Sequence, residues 1–401
     1  LSPFELDDYL ERKSVDLRVA VDCVFGSGFH GALPAEVQAV CATLNAERDL
    51  YRIACDVPSG LDADGNCDSA DCFCADMTVT MGALKRALYS DAAKDVAGAI
   101  RCAPLGVSRS AYEALGIPDA HLLERADLRL PVRQRQNVHK GSFGHLAVLG
   151  GEKRGASLLA ARAALHFGAG AVTLVLGEGD SDAFVPPEVM AATHLPAGVQ
   201  CVALGMGLGR SEAAAARLSR TFAFLAERPD VACVLDADAL NAPDVGQLLQ
   251  KRNAAGHTNT VLTPHPKECA ALLERCGFGA LDTATVVRRR FALAREFAER
   301  YPSCALIIKG ASPVIAGAAG LYVNPLGSSA LAKAGSGDVL AGLCGALLVQ
   351  GRGALEAAVQ ASLAHAIAGS GIVPDYSLTP ERLIACIAAG CIPLSREGGM
   401  T

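Results

Sequence analysis

The chain has 401 residues, with 36 Lys and Arg side chains against 42 Asp and Glu, so its formal net charge at pH 7 is −6. A chain of this length exceeds the usual size of one hydrophobic core and predicts two or three domains. The mild acidity argues against a nucleic-acid-binding protein, because such proteins carry a basic stripe.

The N-terminus has neither the basic nor the apolar segment of a signal peptide, and the first residue is Leu rather than Met. We therefore expect a cytoplasmic protein whose chain is a fragment or starts downstream of a missing segment. The apolar run Val339–Val349 has 11 residues. A membrane span needs roughly 18, so no membrane association is expected.

The first part of the chain alternates strands and a helix. Residues 17–26 (LRVAVDCVFG) form an apolar run that ends in glycine, residues 33–46 space apolar side chains as a helix does, and residues 51–60 (YRIACDVPSG) form a second buried strand. The segments DMTVTMG and GAIRCAPLG add two further strands. Buried strands that alternate with helices predict a parallel sheet with crossover helices.

Fifteen cysteines are scattered along the chain, an odd number in a chain too long to need disulfides. Cys72 and Cys74 form a C-x-C pair with Cys67 nearby, which leaves a metal site open. The alternative is a set of reduced thiols that serve as small apolar side chains. The segment has no second C-x-x-C and no histidine pair, which favours the thiols.

A basic, polar segment at residues 128–137 predicts a domain boundary. Beyond it the alternation restarts with a helix at residues 155–168 and a helical last third that begins near Ala334. The strands predicted between them are FGHLAVLGG, GAVTLVLG, VQCVALGMGLG, VACVLDADAL, TVLTPHPKE and CALIIKGASPVIA.

Polar residues and glycines follow these strands at the places where each strand ends. In open α/β sheets, ligands bind at the carboxyl ends of the strands. The residues at these positions favour enzyme sites over plain packing; they are Asp22, Asp56, Gly205–Gly209, Asp236, Asp238, His265, Lys309 and Gly335–Asp338.

The segment KAGSGDVLAG, residues 333–342, places small residues directly before an apolar helix. Bare amides at a helix N-terminus form an anion site that suits phosphate. Asp338 in the first turn is then either a catalytic base that faces this phosphate or an ordinary helix cap. The segment does not match G-x-x-x-x-G-K-[ST], so it is not a Walker loop.

Three other strand ends carry candidate ligand contacts. Lys309 can neutralise phosphate oxygens or simply reach solvent, and His265 lies between two prolines that fix its backbone. Asp236 and Asp238 form a carboxylate pair that can bind Mg²⁺ or orient water, or can begin the next helix as solvated side chains.

Two families of known proteins resemble this chain. From His139 onward it resembles the ADP/ATP-dependent NAD(P)H-hydrate dehydratases of the ribokinase-like superfamily. DCVFGSGFHG and CDVPSGLDADG resemble the second half of the NAD(P)H-hydrate epimerase domain, which is often fused to the dehydratase. The dehydratase-like pieces, in family order, are HKGSFGHLAVLGG, RGASLLAARAALHFGAGAVTLV, ALGMGLG, LDADALN, LTPHPKE, IIKGAS and AGSGDVLAG.

The resemblance implies a bifunctional NAD(P)H-hydrate repair enzyme. Its fold would be α/β, with a three-layer αβα ribokinase-like domain at residues 129–401. Part of a Rossmann-like α/β epimerase domain, lacking its N-terminal half, would occupy residues 1–128. The small-residue helices near the C-terminus would suit close subunit packing, and we expect a homo-oligomer.

The dehydratase resemblance implies that ADP or ATP, with Mg²⁺, phosphorylates the C6 hydroxyl of hydrated NADH or NADPH, and that phosphate then leaves. Asp338 would deprotonate the hydroxyl. Ala156, Gly207, His265 and Asp338 match the contacts with the hydrated dinucleotide. The positions that match the adenine-nucleotide site are Lys309, Gly310, Ala311, Ser312, Pro313, Gly335, Ser336 and Gly337.

The epimerase resemblance implies a K⁺ ion held by Asp22 and Ser59. Contacts with the substrate would come from Gly26, Ser27, Gly28, Phe29, His30, Gly31, Ala32 and Asp56. The early NNGGDG loop of that family, which supplies a further K⁺ ligand, is absent from this sequence. The R/S epimerase activity therefore stays open, and the alternative is that residues 1–128 form only a non-catalytic structural or binding module.

Two other functions remain as alternatives. A small-molecule kinase of the same superfamily would share the glycine-rich loop, but it would not carry an epimerase-like half. A non-catalytic dinucleotide-binding or scaffold protein would not need Asp338, His265 and Lys309 together. The sequence does not distinguish ADP from ATP as the phosphoryl donor.

Overall fold

The computed structural model describes residues 18–68, 70–116, 118–177 and 185–389. Contacts between residues divide the chain into two compact units, Leu1–Ala120 and His121–Thr401. The domain boundary at residue 128 stays a prediction. The first strand of the second unit, β5 (His121–Leu122), pairs in parallel with a later strand of that unit.

The first unit contains a parallel sheet of four strands in the order β1-β2-β3-β4. Its four strands and the long helix are those expected from the sequence. Pro34 lies at the N-cap of α1, directly before the helix. The elements are β1 (Arg18–Asp22), α1 (Ala35–Ala46), β2 (Leu50–Cys55), β3 (Met77–Met81), α2 (Ala93–Val96), β4 (Ala99–Ala103) and α3 (Arg109–Glu113).

The two faces of this sheet differ in burial. Ala54 of β2 packs with Cys41 of α1 and with Phe73 in a small core. On the strand positions that point the other way, Val19 and Val21 are 48% and 56% exposed. Parallel sheets usually bury both faces. In this four-stranded sheet, however, the described residues cover only one face.

The second unit contains a sheet of ten strands in the order β5-β14-β13-β12-β11-β10-β9-β6-β7-β8. The strands predicted from the sequence are confirmed as its parallel core. β13 is antiparallel to both β12 and β14, so the chain turns back after Lys309, which the sequence did not indicate. The remaining strands are β6 (His145–Leu149), β7 (Ala171–Val175), β8 (Met190–Ala192), β9 (Cys201–Leu204), β10 (Ala232–Leu235), β11 (Thr260–Leu262), β12 (Cys304–Ile308), β13 (Val314–Gly317) and β14 (Gly320–Val323).

Helices cover this sheet on both faces. Helices α4, α10, α11 and α12 share one core with alternate strand residues such as Ala203 and Ile307. Helix α9 packs on β12, β13 and β14 outside that core, which gives three layers. The helices are α4 (Arg154–His166), α5 (Glu212–Glu227), α6 (Val245–Ala254), α7 (Pro266–Arg275), α8 (Thr283–Arg288), α9 (Arg290–Arg300), α10 (Ser336–Val349), α11 (Ala354–Ser370) and α12 (Pro380–Ala388).

Helices α10 and α11 are buried almost all round, which explains their Ala, Gly and Leu composition. A Cβ atom at Gly342 would lie 2.2 Å from the carbonyl oxygen of Ala160, so only glycine allows α10 to cross α4 this closely. This crossing fixes the position of α10 against the sheet. Among the described helices, none combines the length and the apolar character that crossing a membrane would demand.

We expect Arg252→Met to lower the free energy of unfolding by about 3 kcal/mol, because it leaves buried carbonyl groups without a donor. Arg252 is 1% exposed and donates to the carbonyl oxygens of Leu225 (2.9 Å) and Val231 (2.8 Å) and to Thr260 Oγ1 (2.9 Å). Urea unfolding followed by circular dichroism measures the change. Lys251→Met, at an exposed neighbour, is the control; equal stability of the two variants would contradict the expectation.

Candidate active sites

A buried ion pair lies at the carboxyl edge of the ten-stranded sheet. Asp236 follows β10, Thr263 follows β11 and Lys309 follows β12, on three neighbouring parallel strands. The Lys309 ammonium lies 2.9 Å from Asp236 Oδ1, which also accepts a hydrogen bond of 2.8 Å from the Thr263 hydroxyl. Asp236 is 2% exposed, so both of its partners compensate a charge removed from water.

His265 and Glu268 extend this network through a capping box at the start of α7. His265 Nδ1 accepts from the amides of Lys267 and Glu268, while Glu268 Oε2 accepts from the His265 amide at 2.8 Å. Nδ1 is thus an acceptor and the ring proton is on Nε2, 3.1 Å from Glu268 Oε1. Glu268 Oε2 lies 3.6 Å from Lys309 Nζ, so it links the histidine to the ion pair.

The glycine-rich segment before α10 lies against the same ammonium. Gly335 has φ +91°, and a Cβ atom there would meet Pro380 Cγ at 2.6 Å and Leu159 Cδ1 at 2.8 Å. A Cβ atom at Gly337 would lie 3.4 Å from Lys309 Nζ. The first-turn amides of a helix have no carbonyl partner within the helix. The start of α10 therefore combines peptide donors with a cation.

Burial raises the pKa of Asp338 to about 6, and the negative charge of Asp236 adds to this upward shift. Glu268 acts in the same direction and Lys309 in the opposite one. Burial lowers the pKa of Lys309, but the carboxylates of Asp236, Glu268 and Asp338 outweigh it, so the net shift is upward. A carboxylate that titrates near neutral pH beside a fixed cation is suited to proton transfer.

Ala156 and Gly207, expected from the family resemblance to share a substrate, lie side by side. A Cβ atom at Gly207 would be 2.9 Å from Ala156 Cβ, and the Lys153 amide donates to the Gly207 carbonyl at 2.9 Å. Ala156 is in the first turn of α4, one turn before Leu159, which packs on Gly335. The two residues thus border the glycine-rich segment.

The expected nucleotide segment, residues 309–313, is the turn between antiparallel strands β12 and β13. Gly310 and Ala311 are exposed, whereas Ser312 is fully buried and its carbonyl accepts from the Arg290 guanidinium. The carbonyl of Pro313 accepts from the Asn324 amide at 3.0 Å. Only the first part of the segment therefore faces solvent beside Lys309.

Asp236 and Asp238 do not share a partner. Asp238 Oδ2 accepts from the Gly209 amide at 2.9 Å, whereas Asp236 engages Lys309. Between them Ala237 has φ +46°, a left-handed conformation that is costly for a residue with a side chain.

The described residues contain no group of three or more His, Cys, Asp and Glu side chains suited to a metal ion. Every cysteine in these ranges, with Cys67, Cys72 and Cys74 among them, is a free thiol.

In the first unit, Asp22 and Ser59 lie in direct contact at the ends of β1 and β2. Asp22 Oδ1 accepts from the Ser59 hydroxyl and Asp22 Oδ2 from the Ser59 amide, both at 2.7 Å. The two residues are 6% and 1% exposed. The Phe25 amide also donates to the Ser59 hydroxyl oxygen at 3.1 Å, which holds the start of the expected substrate loop.

Asp56 lies beside that loop and is paired with Lys85, which the sequence analysis missed. The Lys85 ammonium is 2.5 Å from Asp56 Oδ1, and the Ser27 amide is 3.4 Å from Asp56 Oδ2. Burial raises the pKa of Asp56, but the hydrogen bonds from Lys85 and the Met81 amide outweigh it and lower the pKa. Asp56 itself has φ +74°.

The rest of the expected loop lies next to Asp56, against Phe25 or in solvent. A Cβ atom at Gly26 would be 3.6 Å from Asp56 Oδ2, and Phe29 is buried against Phe25, with ring centroids 5.0 Å apart. The remaining positions are exposed: Ser27, Gly28, His30, Gly31 and Ala32.

Comparison with solved structures defines the class of the second unit. The ADP/ATP-dependent NAD(P)H-hydrate dehydratase of Bacillus subtilis, co-crystallised with ATP and Mg²⁺, superposes with a TM-score of 0.52 at 24% identity over 66% of this chain and 94% of its own. A ribokinase-like superfamily protein of Enterococcus faecalis gives 0.55 at 18% identity, over 68% and 96%. The second unit is thus a ribokinase-like αβα domain, as predicted.

Comparison of sequences then gives the family. Residues 146–389 match the NAD(P)H-hydrate dehydratase family, and residues 2–87 match the YjeF-related protein N-terminus. The bifunctional NAD(P)H-hydrate repair enzyme of Helicobacter pylori is 40% identical over 374 residues, which are 93% of this chain and 75% of the relative. The ADP-dependent (S)-NAD(P)H-hydrate dehydratase of Neisseria meningitidis serogroup B is 36% identical over 265 residues, 63% of this chain and 85% of that protein. The chain belongs to the family of bifunctional NAD(P)H-hydrate repair enzymes.

We expect Asp338→Asn to stabilise the second unit at pH 7–8 by about 1–3 kcal/mol, since one pKa unit is worth ~1.4 kcal/mol. The pKa of Asp338 is raised in the folded chain, so folding disfavours its ionised form. Wild-type stability should therefore decrease as the pH rises from about 4 to about 6 and then stay level.

Urea unfolding of both proteins between pH 4 and pH 8 measures this difference. The gain from the asparagine should be largest above pH 6 and should vanish below pH 4. Glu299→Gln, at an exposed carboxylate of α9, is the matched control. A pH-independent difference for the Asp338 variant would contradict the expectation.

Proposed function

We propose that the second unit is a nucleotide-dependent dehydratase that returns the S form of hydrated NADH or NADPH to the reduced dinucleotide. Family membership supports this activity. The observation that carries it is the position of Asp338, with a pKa near 6, in the first turn of α10 beside Lys309. Asp338 can accept a proton there while Lys309 and the amides of residues 335–337 bind a phosphate group.

In this proposal Asp338 removes the proton from the C6 hydroxyl of the hydrated nicotinamide. The oxygen attacks the terminal phosphoryl group of ADP or ATP, a C6–O–P bridge forms, and the bond from phosphorus to the remaining nucleotide breaks. The amides of residues 335–337 and the Lys309 ammonium stabilise the charge on the transferring group.

The second half of the reaction needs little from the protein. Phosphate is a far better leaving group than hydroxide, and the lone pair of the ring nitrogen expels it from C6. Transfer of a proton from C5 to the released phosphate or to water then restores the C5–C6 double bond. Ala156, Gly207 and His265 would orient the dinucleotide, and Gly310 and Ala311 would line the nucleotide site with Ser312 and Pro313 behind them.

Mg²⁺ would arrive with the nucleotide phosphates, which it binds in preference to all-protein sites. The donor set of the chain agrees with this, because Asp236 is already engaged with Lys309 and Thr263. The name of the Neisseria relative specifies ADP, and that of the Bacillus protein both nucleotides. Homo-oligomeric assembly and a cytoplasmic location stay predictions.

The test follows recovery of the reduced-nicotinamide absorbance when the full chain meets the S form of hydrated NADH with Mg²⁺ and ADP or ATP. Asp338→Asn should lose about 10²–10⁴-fold in kcat, the usual contribution of a general base. Wild-type kcat/KM should fall below pH 6 as Asp338 is protonated.

Glu299→Gln, which is remote from the site, should keep wild-type rates. A stable phosphorylated product without regained absorbance would identify a kinase instead. Absence of turnover with both nucleotides would overturn the proposal.

We further propose that the first unit interconverts the R and S forms, with Asp56, Lys85 and the loop at residues 26–32 around the substrate. Lys85 keeps Asp56 ionised, so the pair offers a carboxylate base next to an ammonium donor. Asp22 and Ser59 present hard oxygens of the type that K⁺ prefers. An ion bound there would supply a fixed positive charge at the edge of the loop.

This second activity is tested with the R form as the sole substrate and an excess of active dehydratase. Lys85→Met should reduce the rate above spontaneous epimerisation by about 10²-fold or more, because Asp56 loses its charged partner. The dehydratase rate with the S form should not change. Arg48→Met, at an exposed cation of the same unit, is the control. A wild-type rate equal to the spontaneous one would overturn the assignment.

A further inference from the structure

A buried histidine contacts the glycine-rich segment from within the protein core. His365 lies in α11 among apolar side chains and is 9% exposed. Its Nε2 atom is 2.9 Å from the carbonyl oxygen of Ser336 and 3.0 Å from the Ser336 hydroxyl oxygen. Ser336 is 4% exposed and is the first residue of α10. None of the sequence motifs includes this histidine.

The protonation state of His365 follows from its surroundings. Burial lowers its pKa to about 4, and the positive charge of Lys309 acts in the same direction. The ring is therefore neutral near pH 7 and carries one N–H group. A carbonyl oxygen only accepts hydrogen bonds, so that N–H is on Nε2 and donates to Ser336.

This hydrogen bond fixes the peptide group between Ser336 and Gly337. In a planar trans peptide the C=O and N–H groups point in opposite directions. When the Ser336 carbonyl points at His365, the Gly337 N–H points away from the core. Gly337 also lies close to the Lys309 ammonium, since a Cβ atom built on it would be 3.4 Å from Lys309 Nζ.

Such a restraint matters most at this end of α10, because helix ends fray and Ser336, its first residue, lies between two glycines. Glycine has access to both signs of φ, so a peptide next to it can rotate at little steric cost. A rotated Ser336–Gly337 peptide would present a carbonyl oxygen, and thus negative charge, where the phosphoryl group would lie. His365 opposes this rotation through its contact with the carbonyl.

We propose that His365 is a positioning residue for phosphoryl transfer, which holds the Ser336–Gly337 peptide with its N–H toward the transferring phosphoryl group. The proposal rests on the nucleotide-dependent activity proposed above. It assigns His365 no contact with either substrate.

The experiment compares two variants of the full chain. His365→Leu removes the donor and keeps apolar bulk, whereas His365→Gln retains an N–H at nearly the reach of Nε2. We expect His365→Leu to lower kcat/KM for the nucleotide about 10–100-fold, as loss of a group that orients a binding residue commonly does. The KM for the hydrated dinucleotide should change less than about twofold, and His365→Gln should recover most of the loss.

Ser362→Ala is the matched control. Ser362 lies one turn earlier in α11, is 3% exposed, and accepts a hydrogen bond of 2.9 Å from Asn324 Nδ2, away from the glycine-rich segment. Ser362→Ala should lower the stability of the protein without a selective effect on kcat/KM for the nucleotide. If His365→Leu does not fold, His365→Met fills the same space with a flexible chain.

Calorimetric titration of the free proteins with ADP and Mg²⁺ separates this proposal from the activity itself. If wild type binds ADP without turning over hydrated NADH, the proposed function fails, and weaker ADP binding by His365→Leu still supports the positioning role. The positioning role would be overturned if His365→Leu kept the wild-type kcat/KM for the nucleotide. It would also be overturned if His365→Gln and Ser362→Ala lost as much of that kcat/KM as His365→Leu does. Failure of wild type to bind ADP would overturn both.

Discussion

One ammonium group shared by three carboxylates determines the properties of the second unit's site. Lys309 is in direct contact with Asp236 and lies 3.6 Å from Glu268. Its single positive charge therefore offsets the negative charge of Asp338 only in part. Burial, together with this incomplete compensation, moves the pKa of Asp338 toward neutrality. A second cation at the same edge would keep Asp338 ionised but would weaken it as a base. Burial and the balance of charges, and not one neighbouring side chain, therefore set the pKa of Asp338.

The fold supplies this balance through the ends of parallel strands. Asp236, Thr263 and Lys309 each follow one of three adjacent strands, so the regular spacing of the sheet sets the distances between them. The fourth part of the site comes from α10, whose place is set by its close crossing with α4 at Gly342. Helix α11 holds the first peptide of α10 through His365. The contacts that pack the core therefore also set the geometry of the site.

Much of this was predictable from the sequence because buried parallel strands are continuous apolar runs, and ligands bind at their carboxyl ends. Lys309 and His265 were found in that way. Asp338 was found from the small residues before an apolar helix; expected at a strand end, it lies instead in the first turn of α10. The turn of β13 back against β12 was not, because both strands are equally apolar in sequence. Lys85 and His365 were missed since their partners, Asp56 and Ser336, are 29 residues away in each case. For Glu268 a local signal existed, the proline and glutamate spacing of a capping box.

Two residues of the described chain other than glycine have a positive φ, namely Asp56 and Ala237. Asp56 is the acid beside the loop of the first unit, and Ala237 separates the two carboxylates that follow β10 in the second. Left-handed backbone in a residue with a side chain costs roughly 1–2 kcal/mol, and such costs concentrate at functional sites. The backbone torsions alone, without any knowledge of side-chain chemistry or of relatives, would direct attention to both candidate sites of this protein.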